Sequence, residues 1–229
     1  HHGLTPDRIS RGVERVGLTM QLVLASSSPR RQELLALLGL SFEVCPSEFD
    51  EHPTVGLSPI EQVRRFALEK ARSVACVRPQ ALVLGSDTVI DLDGQLLGKP
   101  VDLADAGTML ARLAGRSHQV HTAVALCDRE RHIESVEVAT AEVWMKADFE
   151  QVYEQYLASE ECLGKAGAYA IQGLGGDLVE RIAGDYTTVV GLPLKLVAHL
   201  LQSAGYPLLV NVEDLYRRQP YANWNRFVS

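Results

Sequence analysis

An almost continuous apolar run, ALVLGSDTVI, occupies residues 81–90. Runs of this length and composition are typical of a strand at the centre of a sheet, covered on both faces. Asp87 interrupts the run, and a buried ionised carboxylate is costly unless it is paired, hydrogen-bonded or bound to a metal. Asp87 is therefore a structural partner or a functional acid, and we favour the second because the strand would otherwise be wholly apolar. Gly85 indicates that another group approaches the backbone closely.

A second distinctive segment, SSSPRRQELL, spans residues 26–35 and follows a short apolar strand. Ser28 suits the N-cap of a helix and Pro29 its first position. The helix would present free backbone N–H groups and the positive end of its dipole, which together form an anion site. Arg30 and Arg31 stand where the dipole disfavours cations. They indicate a bound phosphate or, as an equally good explanation of this segment alone, two solvated arginines.

A lysine occupies the apolar side of the next predicted helix. The capping box Ser58-Pro59-Ile60-Glu61 begins this helix, which runs to about residue 76. Lys70 lies among the apolar positions of the helix, either extending to solvent at the edge of the stripe or directed into a cleft. We favour the cleft, where the ammonium group would face an anionic ligand.

The remaining sequence alternates between helical and strand patterns. We predict a hairpin turn at Asp93-Gly94 and a strand pair turning at Gly184-Asp185. The other predicted elements are a helix over 29–38, a strand over 41–45, a helix over 102–113, antiparallel strands over 117–127 and 133–145, a helix over 148–158 and a helix over 193–203. His118 and His121 are not expected to share a metal, because they point to opposite faces of a strand.

Composition sets bounds on the class of protein. The chain has 229 residues and a net charge of −7, which argues against general binding to nucleic acid or to an anionic membrane. Four widely spaced cysteines indicate free thiols of a reducing cytosol. Residues 1–19 are expected to be an N-terminal extension or tag-derived, with the domain over 20–206. The polar, aromatic tail over 207–229 is expected to pack on the domain or on a second subunit, or to be disordered.

Several polar residues suggest phosphate chemistry. Cations recur at glycine-rich or helix-terminal positions, at Arg30, Arg31, Lys70, Lys99 and Lys165. Several cations and a helix N-terminus suit a polyphosphate, and the two acids Glu33 and Asp87 suit Mg²⁺ or Mn²⁺. Neither a P-loop nor a G-x-S-x-G motif is present, so Ser26 and Ser28 are better phosphate donors than nucleophiles.

Five motifs together resemble the Maf family of nucleoside triphosphate pyrophosphatases, in the expected order and over about residues 21–205. They are LASSSPRRQELL over 24–35, Glu69-Lys70-Ala71, Gly85-Ser86-Asp87-Thr88, Gly98-Lys99-Pro100 and KAGAYAIQG over 165–173. The resemblance implies an α/β fold related to the inosine triphosphate pyrophosphatases. In this fold a mixed central sheet is flanked by helices, and the active cleft lies between two lobes.

The resemblance also implies the reaction and the roles of residues. A nucleotide would be cleaved between its α- and β-phosphates with the help of Mg²⁺ or Mn²⁺. Asp87 would accept a proton from water and bind metal, and Glu33 would bind metal or water. Phosphates would be held by the serines and cations, namely Ser26, Ser28, Arg31, Lys70, Lys99 and Lys165.

Three positions would set the substrate, and here they are Arg30, Thr88 and Gln172. This trio resembles the dTTP- and UTP-hydrolysing branch, whereas the 7-methyl-GTP branch carries an aromatic residue, a glutamine and a glutamate there. The Gln172 amide can donate to and accept from the imide edge of uracil or thymine. The alternatives are a 7-methyl-GTP pyrophosphatase and a non-catalytic, nucleotide-binding regulator of septum formation. We expect a cytoplasmic homodimer that trims or sanitises nucleotide pools or arrests division, without nucleic-acid or membrane partners.

Overall fold

In a computed structural model of the chain, residues 20–148 and 150–227 are described. The predicted extension over 1–19 lies outside these residues. The strands are β1 Leu22–Leu24, β2 Glu43–Val44, β3 Leu82–Leu92, β4 Gln95–Leu97, β5 Ser117–Asp128, β6 Ile133–Met145 and β7 Val179–Ala183. The helices are α1 Pro29–Ala36, α2 Pro59–Val77, α3 Leu103–Leu113, α4 Glu150–Ala158, α5 Tyr186–Val190, α6 Leu194–Ser203 and α7 Val212–Arg218. Short 3₁₀ segments occupy Ala166–Ala168, Leu174–Leu178 and Trp224–Arg226.

The described strands form one mixed sheet in the order β2-β1-β3-β5-β6-β7, with β4 also paired to β3. β1 runs parallel to β2 and β3, while β3, β5, β6 and β7 pair antiparallel. The long apolar run is therefore a central strand, as predicted. The predicted α/β fold, with a mixed sheet flanked by helices, is confirmed.

Alternation along β3 assigns its side chains to two different cores. Leu82 and Leu84 join the larger core, which also holds apolar residues of α1, α3 and α6. Val83 and Val89 join the smaller core, on the face covered by α2. Because side chains alternate along a strand, Asp87 shares the α2 face with Val83 and Val89. Thr88 then lies on the opposite face.

A gap along one edge of β3 creates space for a site. β1 pairs only with residues 82–84 of β3, and β4 pairs only with residues 90–92. β5 covers the other edge from Val83 to Asp91. Within the part of the chain that the structure describes, residues 85–89 therefore have one unpaired edge, next to the carboxyl end of β1 and close to the start of α1.

Gly85 allows α2 to lie directly on β3. A Cβ at this position would stand 2.5 Å from the carbonyl oxygen of Ala67 and 2.8 Å from the amide nitrogen of Ala71. Both distances are shorter than any van der Waals contact, so only glycine fits. The backbone contact predicted from Gly85 is therefore present, and α2 is the element that makes it.

Most predicted elements are found near their expected positions. Asp93 and Gly94 turn the β3–β4 hairpin with φ of 53° and 83°. The prediction of a strand pair around Gly184-Asp185 is correct for the first strand, β7, and wrong for the second. Asp185 instead caps α5, because its carboxylate accepts a hydrogen bond from the Thr187 amide at 2.8 Å.

The segment after α6 packs on the domain. Leu215 and Trp224 are buried, and Trp224 stacks on Tyr186 with ring centroids 6.1 Å apart. Within the described ranges, no helix has both the length and the apolar character that crossing a membrane requires.

Candidate active site

A cavity of about 420 Å³ opens at the gap along β3. Its size is within the usual range for small-molecule sites. Five cationic side chains and two carboxylates line it, together with serines, Thr88, Gln172 and apolar groups. The charged residues are Arg30, Arg31, Lys70, Lys99, Lys165, Glu51 and Asp87.

The centre of the cavity is a three-member ionic cluster. Lys70 extends from α2 and its Nζ donates to Oδ1 of Asp87 at 2.6 Å. The same ammonium group contacts Oε1 of Glu51. The Lys70 and Asp87 side chains are only 12% and 8% exposed, so this pair is largely desolvated. The structure thus places Lys70 inside a cleft rather than at the solvent edge of its helix.

Burial and charge have opposite effects on the Asp87 carboxyl. Burial raises the pKa of Asp87 above its usual range, the Lys70 ammonium lowers it, and the Glu51 carboxylate raises it again. Glu51 behaves differently. Burial raises its pKa, but Lys70 together with Lys99 and Arg31 outweighs burial and brings the pKa below the usual value. A raised pKa next to a nearby cation is typical of a carboxylate that accepts a proton in a reaction.

The start of α1 forms one wall. Ser28 caps the helix by accepting from the Arg31 amide at 3.4 Å, and Ser26 Oγ accepts from the Ser28 amide at 3.2 Å. Pro29 is the first helical residue, as predicted. Both serines line the cavity, at the positive end of the helix dipole.

Arg31 is held against the sheet by a chain of hydrogen bonds. Its Nε donates to the carbonyl oxygen of Gly191 at 2.8 Å, and its Nη2 donates to Thr88 Oγ1 at 3.1 Å. Thr88 and Thr122 hydroxyls are 2.9 Å apart, and Thr122 donates to the carbonyl oxygen of Thr188 at 2.8 Å. Because the Thr122 proton is used there, the Thr88 hydroxyl donates to Thr122 while accepting from Arg31.

Glycine-rich loops supply Lys99, Lys165 and Gln172 to the lining of the cavity. The Gly167 amide donates to the carbonyl oxygen of Gly98 at 3.1 Å, which joins the loops of the two lysines. Gly167 has a φ of 68°, a conformation that favours glycine. Lys165 Nζ donates to the carbonyl oxygen of Glu161 at 2.6 Å. The phosphate-binding and specificity residues predicted from the sequence therefore all line one cavity.

Glu33 lies elsewhere. It is exposed and is not among the described residues that line the cavity, and its Oε2 accepts a hydrogen bond from Tyr221 at 2.7 Å. Glu51 stands in the cavity instead and had no predicted role. The only signal in the sequence was an acidic pair in a polar loop, and nothing local connects that loop to Lys70. The metal-binding role of Glu33 stays a prediction.

The two histidines of β5 have separate partners, as their spacing predicts. His118 Nε2 is 2.7 Å from the Tyr169 hydroxyl, whereas His121 Nδ1 is 2.8 Å from Thr140 Oγ1. Burial lowers the pKa of His118 to about 4. His118 therefore supports Tyr169, a cavity-lining residue, as a neutral ring.

The donors in the cavity suit a hard divalent cation shared with a ligand. Among the described residues, no three His, Cys, Asp or Glu side chains form a complete metal site. Asp87 and Glu51 both contact one ammonium group, so their oxygens converge. Mg²⁺ is commonly held by one or two carboxylates and substrate phosphates, with waters in the remaining positions. The two carboxylates therefore fit such an ion once phosphate is present.

Comparisons with known proteins agree with the geometry. A dTTP/UTP pyrophosphatase of Symbiobacterium thermophilum is 48% identical over 188 residues, covering 82% of this chain and 96% of that protein. One from Myxococcus xanthus is 49% identical over 187 residues, covering 82% and 94%. A solved HAM1 protein from Coxiella burnetii has a TM-score of 0.47 and 17% identity, over 80% of this chain and 99% of that one. This weak structural likeness carries no argument about activity.

The family signature covers the whole site. The Maf-like protein family matches residues 21–204, a range that contains the start of α1, the Asp87 strand and the Gln172 loop. The match and the relatives at 48–49% identity confirm the predicted resemblance. The chain belongs to the Maf family.

Proposed function

We propose that this protein is a dTTP/UTP pyrophosphatase, which hydrolyses the nucleoside triphosphate to the monophosphate and pyrophosphate. The observation that carries the proposal is the cavity itself, where five cations face two carboxylates. An excess of positive charge suits a triphosphate, and the carboxylates suit water activation. Relatives at 48–49% identity carry this name.

The reaction follows from how the charges are distributed. The triphosphate lies between the N-terminus of α1 and the lysines of the glycine-rich loops. Asp87 accepts a proton from water, the water oxygen bonds to the α-phosphorus, and the bond to the bridging oxygen breaks. Pyrophosphate leaves with its negative charge stabilised by Lys99 and Lys165. Lys70 opposes the rise that burial causes in the pKa of Asp87, and so favours the ionised form that accepts the proton.

A divalent cation, Mg²⁺ or Mn²⁺, would be held by Asp87 and Glu51. It would neutralise charge on the phosphate oxygens when bound. Glu33, exposed and bonded to Tyr221, is the other predicted ligand. Glu51 is the better candidate, since it lines the cavity together with Asp87.

Base selection rests on Gln172 and Arg30. The neutral amide of Gln172 can pair with the imide edge of uracil or thymine, which has one donor and acceptors on either side. Arg30 lines the same cavity. Thr88, the third predicted residue, has its hydroxyl engaged by Arg31 and Thr122. We therefore propose that Thr88 acts by fixing Arg31, a predicted phosphate ligand, and not by contacting the base. A cytoplasmic homodimer remains our expectation for the assembled protein.

The test is pyrophosphate release from dTTP, UTP, CTP, GTP and 7-methyl-GTP with Mg²⁺ or Mn²⁺. It is run for the wild-type protein and for Asp87→Asn, which keeps the shape of the side chain but cannot accept the proton. We expect selective turnover of dTTP and UTP, and at least a hundredfold loss of kcat in the variant, the usual size of a general-base contribution. Nucleotide binding should persist, because the cations remain.

Other outcomes would replace the proposal. Preference for 7-methyl-GTP would keep the chemistry and overturn the substrate assignment. Tight binding without turnover of any nucleotide would favour the regulator of septum formation. Loss of binding together with turnover in Asp87→Asn would give that aspartate a structural role.

A further inference from the structure

Residues 211–227, here called the strap, lie beyond the family match, which ends at residue 204, and contribute none of the described residues that line the cavity. The strap contains α7 and the 3₁₀ segment Trp224–Arg226. It contacts two segments that each supply residues to the cavity lining. Tyr221 contacts α1 at Glu33, which itself lies outside the cavity, and Asn223 contacts the loop that contains Gln172.

Asn223 holds the backbone on both sides of Gln172. Its Nδ2 donates to the carbonyl oxygen of Ile171 at 2.9 Å and to that of Gly173 at 3.1 Å. Gln172 is thus bracketed by two hydrogen bonds to one amide group. The Asn223 amide fits here because residue 176 is glycine. A Cβ at Gly176 would stand 2.9 Å from Asn223 Nδ2 and 2.6 Å from the carbonyl oxygen of Ile171. Glycine leaves the space that the amide needs.

The backbone of Asn223 is suited to this contact. Its φ of 63° and ψ of −3° lie in the left-handed region, which asparagine tolerates better than most residues. Asn223 Oδ1 also accepts from Arg226 Nη1 at 3.4 Å, and Arg226 Nη2 donates to Asp177 Oδ1 at 2.8 Å. Asp177 follows the Gln172 loop directly, in the 3₁₀ segment Leu174–Leu178. The strap therefore fixes the loop at three points.

Aromatic packing anchors the strap to the domain. Trp224 is 3% exposed, stacks on Tyr186 and meets the edge of Tyr216 with centroids 4.9 Å apart. The Tyr186 hydroxyl donates to the carbonyl oxygen of Ala222 at 2.5 Å. These contacts lie on both sides of Asn223 in the chain, so its amide cannot swing away without disturbing a buried cluster.

Tyr221 connects the strap to α1, the helix that carries Arg30. Tyr221 donates to Glu33 at 2.7 Å, and Glu33 lies one helical turn after Arg30 on α1. The two segments that contribute to base selection in the proposed function, which hold Arg30 and Gln172, are thus both hydrogen-bonded to the strap.

We propose that Asn223, assisted by Tyr221, is a positioning residue that sets the orientation of Gln172 for pyrimidine selection. The proposal rests on the proposed function, because it assigns Gln172 the task of contacting the base. Asn223 touches no substrate itself. It acts by holding the two peptide carbonyls between which Gln172 projects.

The test compares Asn223→Gly, Asn223→Asp and Arg217→Ala. Glycine keeps the left-handed backbone and deletes the donor, and aspartate keeps the shape but turns an acceptor toward two carbonyls. Arg217 is the matched control, since it lies on α7 in the same strap, is 75% exposed and pairs with Asp214. Steady-state pyrophosphate release is measured with UTP, dTTP and CTP, and amide hydrogen exchange is measured over residues 170–177.

We expect both Asn223 variants to raise KM for UTP and dTTP about tenfold, the effect of losing about one well-placed hydrogen bond to the base. The KM for CTP and kcat for all three nucleotides should change less than about twofold, because Asp87 and Lys70 lie on other elements. Amide exchange over residues 170–177 should accelerate in Asn223→Gly. Arg217→Ala should match the wild-type protein in every measurement.

The proposal would be overturned if the ratio of kcat/KM for UTP to kcat/KM for CTP were unchanged in both Asn223 variants. Equal losses of kcat for every nucleotide would overturn it as well. If amide hydrogen exchange over residues 170–177 is unchanged in Asn223→Gly, then Asn223 does not hold the loop, whichever nucleotide is the substrate. Failure of the proposed function would appear separately, as absent dTTP and UTP turnover in the wild-type protein.

Discussion

Replacing Lys70 by methionine tests whether the ionic cluster of the cavity is energetically coupled. Methionine keeps most of the side-chain length and removes the charge that lies between Asp87 and Glu51. Two unit charges 2.6 Å apart attract by about 6 kcal/mol at an effective dielectric constant of about 20. Desolvation of the two groups offsets roughly half of this, so we expect Lys70→Met to lower the free energy of unfolding by about 3 kcal/mol at pH 7.

The loss should depend on pH in a defined direction. Without Lys70, burial of Asp87 is no longer opposed by the adjacent ammonium, and the pKa of Asp87 rises further above its usual range. The folded variant then binds a proton that the unfolded chain releases. Its stability therefore falls as pH rises through the raised folded pKa and recovers as pH is lowered.

The assay is urea unfolding, followed by circular dichroism, of a double-mutant cycle. The four proteins are wild type, Lys70→Met, Asp87→Asn and the double variant, with Arg72→Met as a control on the same helix. Arg72 is 45% exposed and pairs with Glu134 at the surface, so its loss should cost less than about 1 kcal/mol. We expect a coupling energy of about 2 kcal/mol between Lys70 and Asp87. Additive effects within about 0.5 kcal/mol would refute a coupled pair.

Two further predictions concern a buried histidine and the metal. Because burial holds the pKa of His118 at about 4, below its unfolded value of about 6.5, stability should fall by about 3 kcal/mol as pH drops from 6.5 to 4. Urea unfolding of His118→Gln should show a flatter profile across that window, and a profile as steep as that of the exposed control His199→Gln would contradict the assignment. Glu51→Gln should raise the Mg²⁺ concentration for half-maximal pyrophosphate release about tenfold, since a second carboxylate would be lost from the metal. Glu33→Gln should leave it nearly unchanged, and the opposite ranking in this titration would restore Glu33 as the ligand.

Local signals were sufficient for most of the fold. The apolar run around Asp87 and the Asp93-Gly94 turn each identify their element from residues close in sequence. The segment after Gly184 was predicted as the second strand of a pair turning at Gly184-Asp185, and it contains four β-branched residues, at positions 187–190. The Asp185 cap and packing against the sheet make it a helix instead, and intrinsic strand preference is weaker than such tertiary effects.

The site was predictable where chemistry is concentrated in motifs. Arg31, Lys70 and Gln172 all lie in such motifs and all line the cavity. Glu51 was missed because its contact with Lys70 joins a loop to a helix, and no periodicity links the two. The strap was missed for the same reason, since Asn223 contacts a loop about fifty positions earlier in the chain.

Gly85 makes the spacing of the reactive charges a property of the main chain. The backbones of α2 and β3 are in contact there. No layer of side chains therefore separates the two elements that carry Lys70 and Asp87. Those two elements should therefore move as one rigid piece during turnover. Any adjustment of the cleft to a different base then falls to the segments that hold Arg30 and Gln172 and to the strap that contacts both. The chemistry and the choice of substrate thus reside in different parts of the molecule.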